Sequence, residues 1–218
     1  MIVDRRIQSL IALAFLLVSF FSINPVYAAT KKPHVQPPPV IAESPQLQQC
    51  LKRADDLPDI AAAEATAWIK KGGGNDAHLC RAFAQMNRGM HEDAAKDFWV
   101  LASYYDKFDA HHAVLMHDMA GQEFLATNKI KDALAQYGMA LNIAPKDPQS
   151  LIGRAKTRMA VDRYWDALDD LNKALKIDPN NVDALRQRGR AWAQLGDNKN
   201  AQEDFGRAED LATSETKK

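Results

Sequence analysis

From Pro145 to Pro179 the chain reads PKDPQSLIGRAKTRMAVDRYWDALDDLNKALKIDP, a proline-to-proline period of 34 residues. A period of this length belongs to stacked helix pairs rather than to a single closed domain. In its second half, Tyr164, Ala167, Leu168, Leu171, Ala174 and Leu175 fall at helical steps and make one apolar stripe. That stripe has to bury against something. The preceding segment offers a second apolar face of Leu151, Ile152, Ala155 and Met159, behind Asp147 as N-cap and Pro148 as first helical residue. The two segments read as one antiparallel helix hairpin.

The pattern recurs in register. Gly121, Phe124, Ala133, Tyr137, Ala140 and Pro145 stand one period upstream of Ala155, Arg158, Ala167, Leu171, Ala174 and Pro179, and Gly189, Trp192, Ala201, Phe205, Ala208 and Thr213 stand one period downstream. The small residue lets the first helix lie close to the second. The two alanines let the second helix approach both the first helix and the next hairpin, the large residue between them fills the gap, and proline ends the helix. This order of small, large, small and Pro resembles the tetratricopeptide repeat (TPR). The resemblance implies an all-α fold, a right-handed TPR superhelix (α-solenoid) of about four helix hairpins plus a degenerate N-terminal hairpin.

The expected units are 75–113, 114–147, 148–181 and 182–213, with a flexible tail at 214–218. In the first, Ala82, Ala94 and Phe98 keep the pattern, but Leu101 replaces the second alanine and predicts a looser or shifted junction. The segment Tyr104 to Ala113 then inserts about five residues and carries exposed Tyr and Phe content. The degenerate hairpin at 46–74 reads as helices 46–55 and 59–71, the first shorter than the repeat allows, stopped by Gly72, Gly73 and Gly74.

The first 28 residues are different material. Arg5 and Arg6 precede an apolar run from Leu10 to Phe21, and Val26-Tyr27-Ala28 supplies small residues for a signal peptidase. The expectation is a cleaved signal, with an uncleaved anchor as the alternative. The 17 residues between Arg6 and Asn24 are at the short limit for a span and end in Asn-Pro. Export of a soluble repeat chain points to the bacterial periplasm. Residues 29–45 follow as a Pro-rich linker around Pro37, Pro38 and Pro39.

Charge narrows the partners. The 28 basic and 28 acidic residues balance, and loss of a signal bearing two positive charges and one negative leaves about −1. Nucleic-acid binding and a polybasic membrane mode draw on an excess of Lys and Arg that this chain lacks. Direct membrane insertion of the mature chain is not expected.

Two cysteines allow one pairing, Cys50 with Cys80, and an oxidising compartment favours that disulfide over two buried thiols. Successive first helices are neighbours in the TPR architecture, which puts this pairing within reach. His111, His112 and His117 cannot share a helical face, so no metal is expected, and no cofactor is implied. No nucleophile has an evident base beside it, so the chain is read as no enzyme. The acidic pairs Asp169-Asp170 and Glu203-Asp204 read as solvated outer surface.

In the TPR family the concave surface is lined by first helices. The corresponding positions in the first unit are Leu79, Phe83, Met86 and Asn87. In the second they are Leu115, Asp118, Gln122 and Leu125. The third supplies Gln149, Ile152, Lys156 and Met159, and the fourth Asp183, Arg186, Arg190 and Gln194. This wall is apolar at one end and basic at the other, which suits a peptide or helix of an envelope protein with an apolar stretch and a carboxylate. The Lys and Asn of the family's carboxylate clamp are not reproduced at Asp118, Gln122, Ile152 and Lys156. Self-association of the uncapped last hairpin, giving a homo-oligomer, is the alternative.

Overall fold

Among the described residues, ten helices in antiparallel pairs follow from local signals the chain repeats. The computed structural model describes residues 44–215, so the expected signal, most of the linker and residues 216–218 lie outside the described residues. The helices are α1 (Pro45–Asp56), α2 (Pro58–Lys70), α3 (Gly74–Arg88), α4 (His91–Tyr105), α5 (Ala110–Ala126), α6 (Ile130–Ile143), α7 (Pro148–Met159), α8 (Tyr164–Ile177), α9 (Val182–Gln194) and α10 (Asn198–Glu215), with no strand among the described residues. The chain folds as the TPR solenoid its repeat predicts.

Helix starts are fixed by side-chain oxygens on orphan amides: Ser44 accepts from Leu47 N, Asp109 from His112 N, Asp147 from Ser150 N and Asn181 from Ala184 N. The turn inside each of the last four hairpins has one left-handed residue. Gly89, Asn128, Asp162 and Gly196 take that place, with φ of 75°, 58°, 58° and 83°. Gly, Asn and Asp are the residues that tolerate it.

Two boundaries differ from the sequence reading. Helix α1 has 12 residues, as many as α7, so the first hairpin is not short. Helix α10 runs through 214 and 215, taking up the start of the expected tail.

Consecutive first helices touch at α1–α3, α5–α7 and α7–α9, while no two second helices make comparable contact among the described residues. First helices therefore line the inner wall. The α3–α5 pair lacks a contact of that extent, which places the shifted junction at the five-residue insertion, as Leu101 predicts. The loop there, 106–109, is no longer than 144–147 or 178–181, and the inserted residues instead lengthen α4 and α5 to 15 and 17. One apolar core runs through the last three hairpins: Leu141, Leu151, Ile152, Leu171, Leu175 and Leu185 form a single cluster with Ala184 and Ala208. Each hairpin thus depends on its neighbours for burial.

Candidate functional site

The inner wall begins with residues that turn inward. Leu79, Phe83 and Ile152 are 1%, 2% and 1% exposed, and Met86 is also buried, so these four belong to the core and are covered by neighbouring helices. The TPR resemblance placed them on the wall, and helical spacing alone does not separate a groove face from a core face. Asn87 is committed as well: its Nδ2 donates to Ala54 O at 2.9 Å and tethers α3 to α1.

What stays accessible is Gln122, Gln149, Arg186, Arg190 and Gln194, all exposed, with half-buried Leu115, Leu125 and Met159 between them. Lys156 is held by Asp183, Nζ to Oδ2 at 2.6 Å, and Asp183 also accepts from Gln187 at 2.9 Å. Burial pushes the Asp183 carboxyl up, but Gln187, Lys156 and Arg190 outweigh it and hold it below its usual range.

Asp118 behaves in the opposite way. It is 9% exposed, and burial pushes its carboxyl up to about 7, against the bond from Ser150 and with help from the charge on Asp147. The Ser150 Oγ lies 2.7 Å from Asp118 Oδ1 and 2.9 Å from Asp147 Oδ2. One hydroxyl has one proton to give. With Asp118 ionised the hydroxyl donates to one of the two carboxylates; once Asp118 is protonated it can donate to Ser150 and free the hydroxyl for the Asp147 carboxylate that caps α7.

The acidic pairs on the second helices correct the surface reading. Asp170 is 0% exposed and takes the Nε and Nη2 of Arg154 at 2.8 Å each and Arg158 Nη1 at 2.6 Å. Arg188 grips Asp204 with the same two-pronged geometry, as Arg81 grips Asp97, each pair 16 positions apart. Asp169 and Glu203 remain exposed, as the sequence reading had them.

The third hairpin, α5–α6, has Ala120 and Gln136 in these places, and His117, 1% exposed, bonds Gln136 at 2.8 Å instead. The Arg and Asp recurring at a 16-residue interval was the available signal in the sequence. It was hidden because an isolated Asp on a helix is usually solvated.

Two further histidines also serve structure. His112 bonds the N-cap Asp109, and His91 bonds buried Glu123 at 2.7 Å. Among the described residues no group of His, Cys, Asp and Glu could hold a metal ion, and no helix is long and apolar enough to cross a membrane. Cys50 and Cys80 form a disulfide with Cα atoms 5.9 Å apart, joining α1 to α3. At the insertion Tyr104 and Phe108 are 47% and 72% exposed.

The far end of the wall opens into a depression of about 580 Å³ lined by Arg186, Arg190, Phe205, Glu209, Ala212 and Thr213. Phe205 is 39% exposed. Two guanidiniums beside an accessible ring can take a carboxylate and an apolar side chain together.

No family model matches the chain. It is similar to MamA from Desulfovibrio magneticus RS-1, with a TM-score of 0.65 and 19% identity over 78% of this chain and 92% of that one. It is also similar to TTC0263, a thermophilic TPR protein of Thermus thermophilus, with a TM-score of 0.59 and 14% identity over 77% and 92%. At these identities the likeness is one of fold. A DnaJ homolog subfamily C member 3 homolog of Dictyostelium discoideum is 31% identical over 91 residues, which are 40% of this chain and 18% of that relative.

Proposed function

We propose that this tetratricopeptide-repeat chain is a non-enzymatic interaction module that holds a peptide or helix of another protein against its row of first helices. The observation behind this reading is a division of labour among polar side chains. Those that join helices are paired, within a hairpin as in Arg154–Asp170 and between hairpins as in Lys156–Asp183 and Asn87–Ala54. Gln122, Gln149, Arg186 and Gln194 make none of these ties and stand exposed beside Leu125 and Met159. A wall of uncommitted amides and guanidiniums beside apolar side chains is suited to an extended or helical ligand.

The partner is an envelope protein and the compartment the periplasm. Support comes from the signal-like first 28 residues and from the Cys50–Cys80 bridge, since disulfides persist in oxidising compartments.

The test places a photo-crosslinking residue at Gln122 or Gln149 on first helices, and at Lys131 or Lys173 on second helices, in the cell that makes the protein. Capture of a distinct protein from the first pair and not from the second is the expected result. Capture from Lys131 and Lys173 alone overturns the reading. Crosslinks only between two copies turn it toward a self-associating assembly subunit.

A further inference from the structure

The last hairpin ends on a face that each of the two hairpins before it covers with the next first helix. Three seats are filled there, two at the first of those junctions and one at the second. Helix α7 brings Ser150 against Asp118 and Gly153 against the Tyr137 ring, and α9 brings Asp183 against Lys156. Carried forward by one repeat, Arg186 stands where Asp118 and Ile152 stand, Arg190 where Gln122 and Lys156 stand, and Phe205 where Tyr137 and Leu171 stand. Ile152, Tyr137 and Leu171 are covered at 1%, 4% and 0% exposure, while Phe205 and both arginines are exposed.

Resting on the reading above, we infer that this terminal face docks an amphipathic helix of a protein partner, with two adjacent acidic residues in its first turn and a small residue three positions after the second. The seats set this spacing. A residue in the place of Asp183 faces Arg190, the next, in the place of Ser150, faces Arg186, and one in the place of Gly153 meets Phe205.

Arg186 has no hydrogen-bond or ion-pair partner among the described residues, and Arg190 makes one long bond, 3.4 Å, to Gln187. Arg186 is unspent, and Arg190, whose charge acts on Asp183, has no ion pair of its own, so both can take a carboxylate. An acidic first turn also complements the dipole of the helix that bears it. Glu209 on the α10 side of the depression keeps that turn on the α9 side. A second copy is the poorer occupant, because α1, the first of the described helices, has no acidic residue in its first turn.

The probe is a fluorescent, hydrocarbon-stapled copy of residues 147–159 carrying Gln149→Asp and Ser150→Glu, titrated into the full mature chain and followed by anisotropy. Saturable binding is expected, weakened at least tenfold by Arg186→Glu with Arg190→Glu in the protein, and restored when the peptide carries Lys at both positions. A peptide with Gly153→Leu should lose affinity by a similar factor, since a bulky residue cannot seat on Phe205. Absence of saturable binding, or binding indifferent to the two arginines, overturns the proposal. So does a dimer, seen by sedimentation, that the arginine substitutions dissolve, because the occupant is then a second copy. Crosslinking from Gln122 and Gln149 in the Arg186→Glu, Arg190→Glu protein separates the two readings. Partner capture that persists there while the peptide fails to bind leaves the groove reading standing and removes this one; loss of both removes both.

Discussion

The ring of Tyr137 occupies the space that a β-carbon on Gly153 would need. Its other neighbour is Gly121, where an added β-carbon would stand 2.9 Å from the same ring. One tyrosine of α6 is thus clasped by glycines from two successive first helices, α5 of its own hairpin and α7 of the next. Phe205 has only the inner half of that clasp, Gly189, and this is why its ring is open to solvent.

Gly153→Ala is therefore expected to destabilise the chain although alanine is the better helix former by about 1 kcal/mol. The overlap is with a ring held on both sides, and overpacking of this kind costs roughly 1–3 kcal/mol. Urea unfolding measures it. Tyr137→Leu in the same molecule should recover most of the loss, as Leu171 fills the same place one repeat later. Additive effects of the two substitutions would show that the ring and the glycine do not meet.

Asp169 and Asp170 are adjacent, and their substitution should have very different effects. Asp170→Asn removes the common partner of Arg154 and Arg158 in a site with no exposure, with an expected loss of about 3 kcal/mol. Asp169→Asn lies on the exposed side of α8 and should stay within about 0.5 kcal/mol. Equal midpoints for the two in thermal unfolding would contradict the buried-pair assignment.

That contrast marks how much was readable beforehand. Hairpin number, repeat register and the insertion followed from apolar spacing and Pro, since those residues act through local geometry that each unit repeats. The paired cysteines also followed, from their even count and the adjacency of first helices. The direction of polar side chains did not. Asp170 and Asp169 look alike in one dimension, and only the arrival of Arg154 from the opposite helix makes one of them structural. Leu79, Phe83 and Ile152 failed as wall residues for a related reason: whether a first-helix position faces the groove or the next hairpin depends on the stacking angle between units, which no single unit encodes.

The bridge between Cys50 and Cys80 closes a separation of 30 residues in the first two described hairpins. Reduction should cost about 3–4 kcal/mol in the chain-entropy view, concentrated in α1 and α2 because a solenoid loosens locally. Hydrogen exchange is the measurement: amides of α1 should lose protection in dithiothreitol while those of α7 to α9 keep theirs. Cys50→Ser with Cys80→Ser should reproduce the loosening and abolish the response to reductant. The bonds Ser44–Asp76 and Asn87–Ala54 still join the hairpin to α3, so opening is expected rather than loss of fold.

Asp118 gives the chain a pH dependence opposite to that of most carboxylates. Its carboxyl is raised to about 7 in the folded chain, whereas an unfolded Asp titrates near about 4. Below pH 4 the group is protonated in both states and favours neither. Between about 4 and 7 the unfolded chain gives up the proton while the folded chain keeps it, so stability falls as pH rises and levels off above 7. Three pKa units correspond to something on the order of 4 kcal/mol as an upper bound. An ionised Asp118 then faces the Asp147 carboxylate with only the Ser150 hydroxyl between them. Asp118→Asn keeps the donor of the neutral acid and carries no charge, so it should match the parent chain near pH 4.5 and exceed it by up to a few kcal/mol at pH 8 in urea unfolding. Stability curves that run parallel across that range would mean Asp118 is already ionised at low pH and that the Ser150 proton points to it rather than to Asp147.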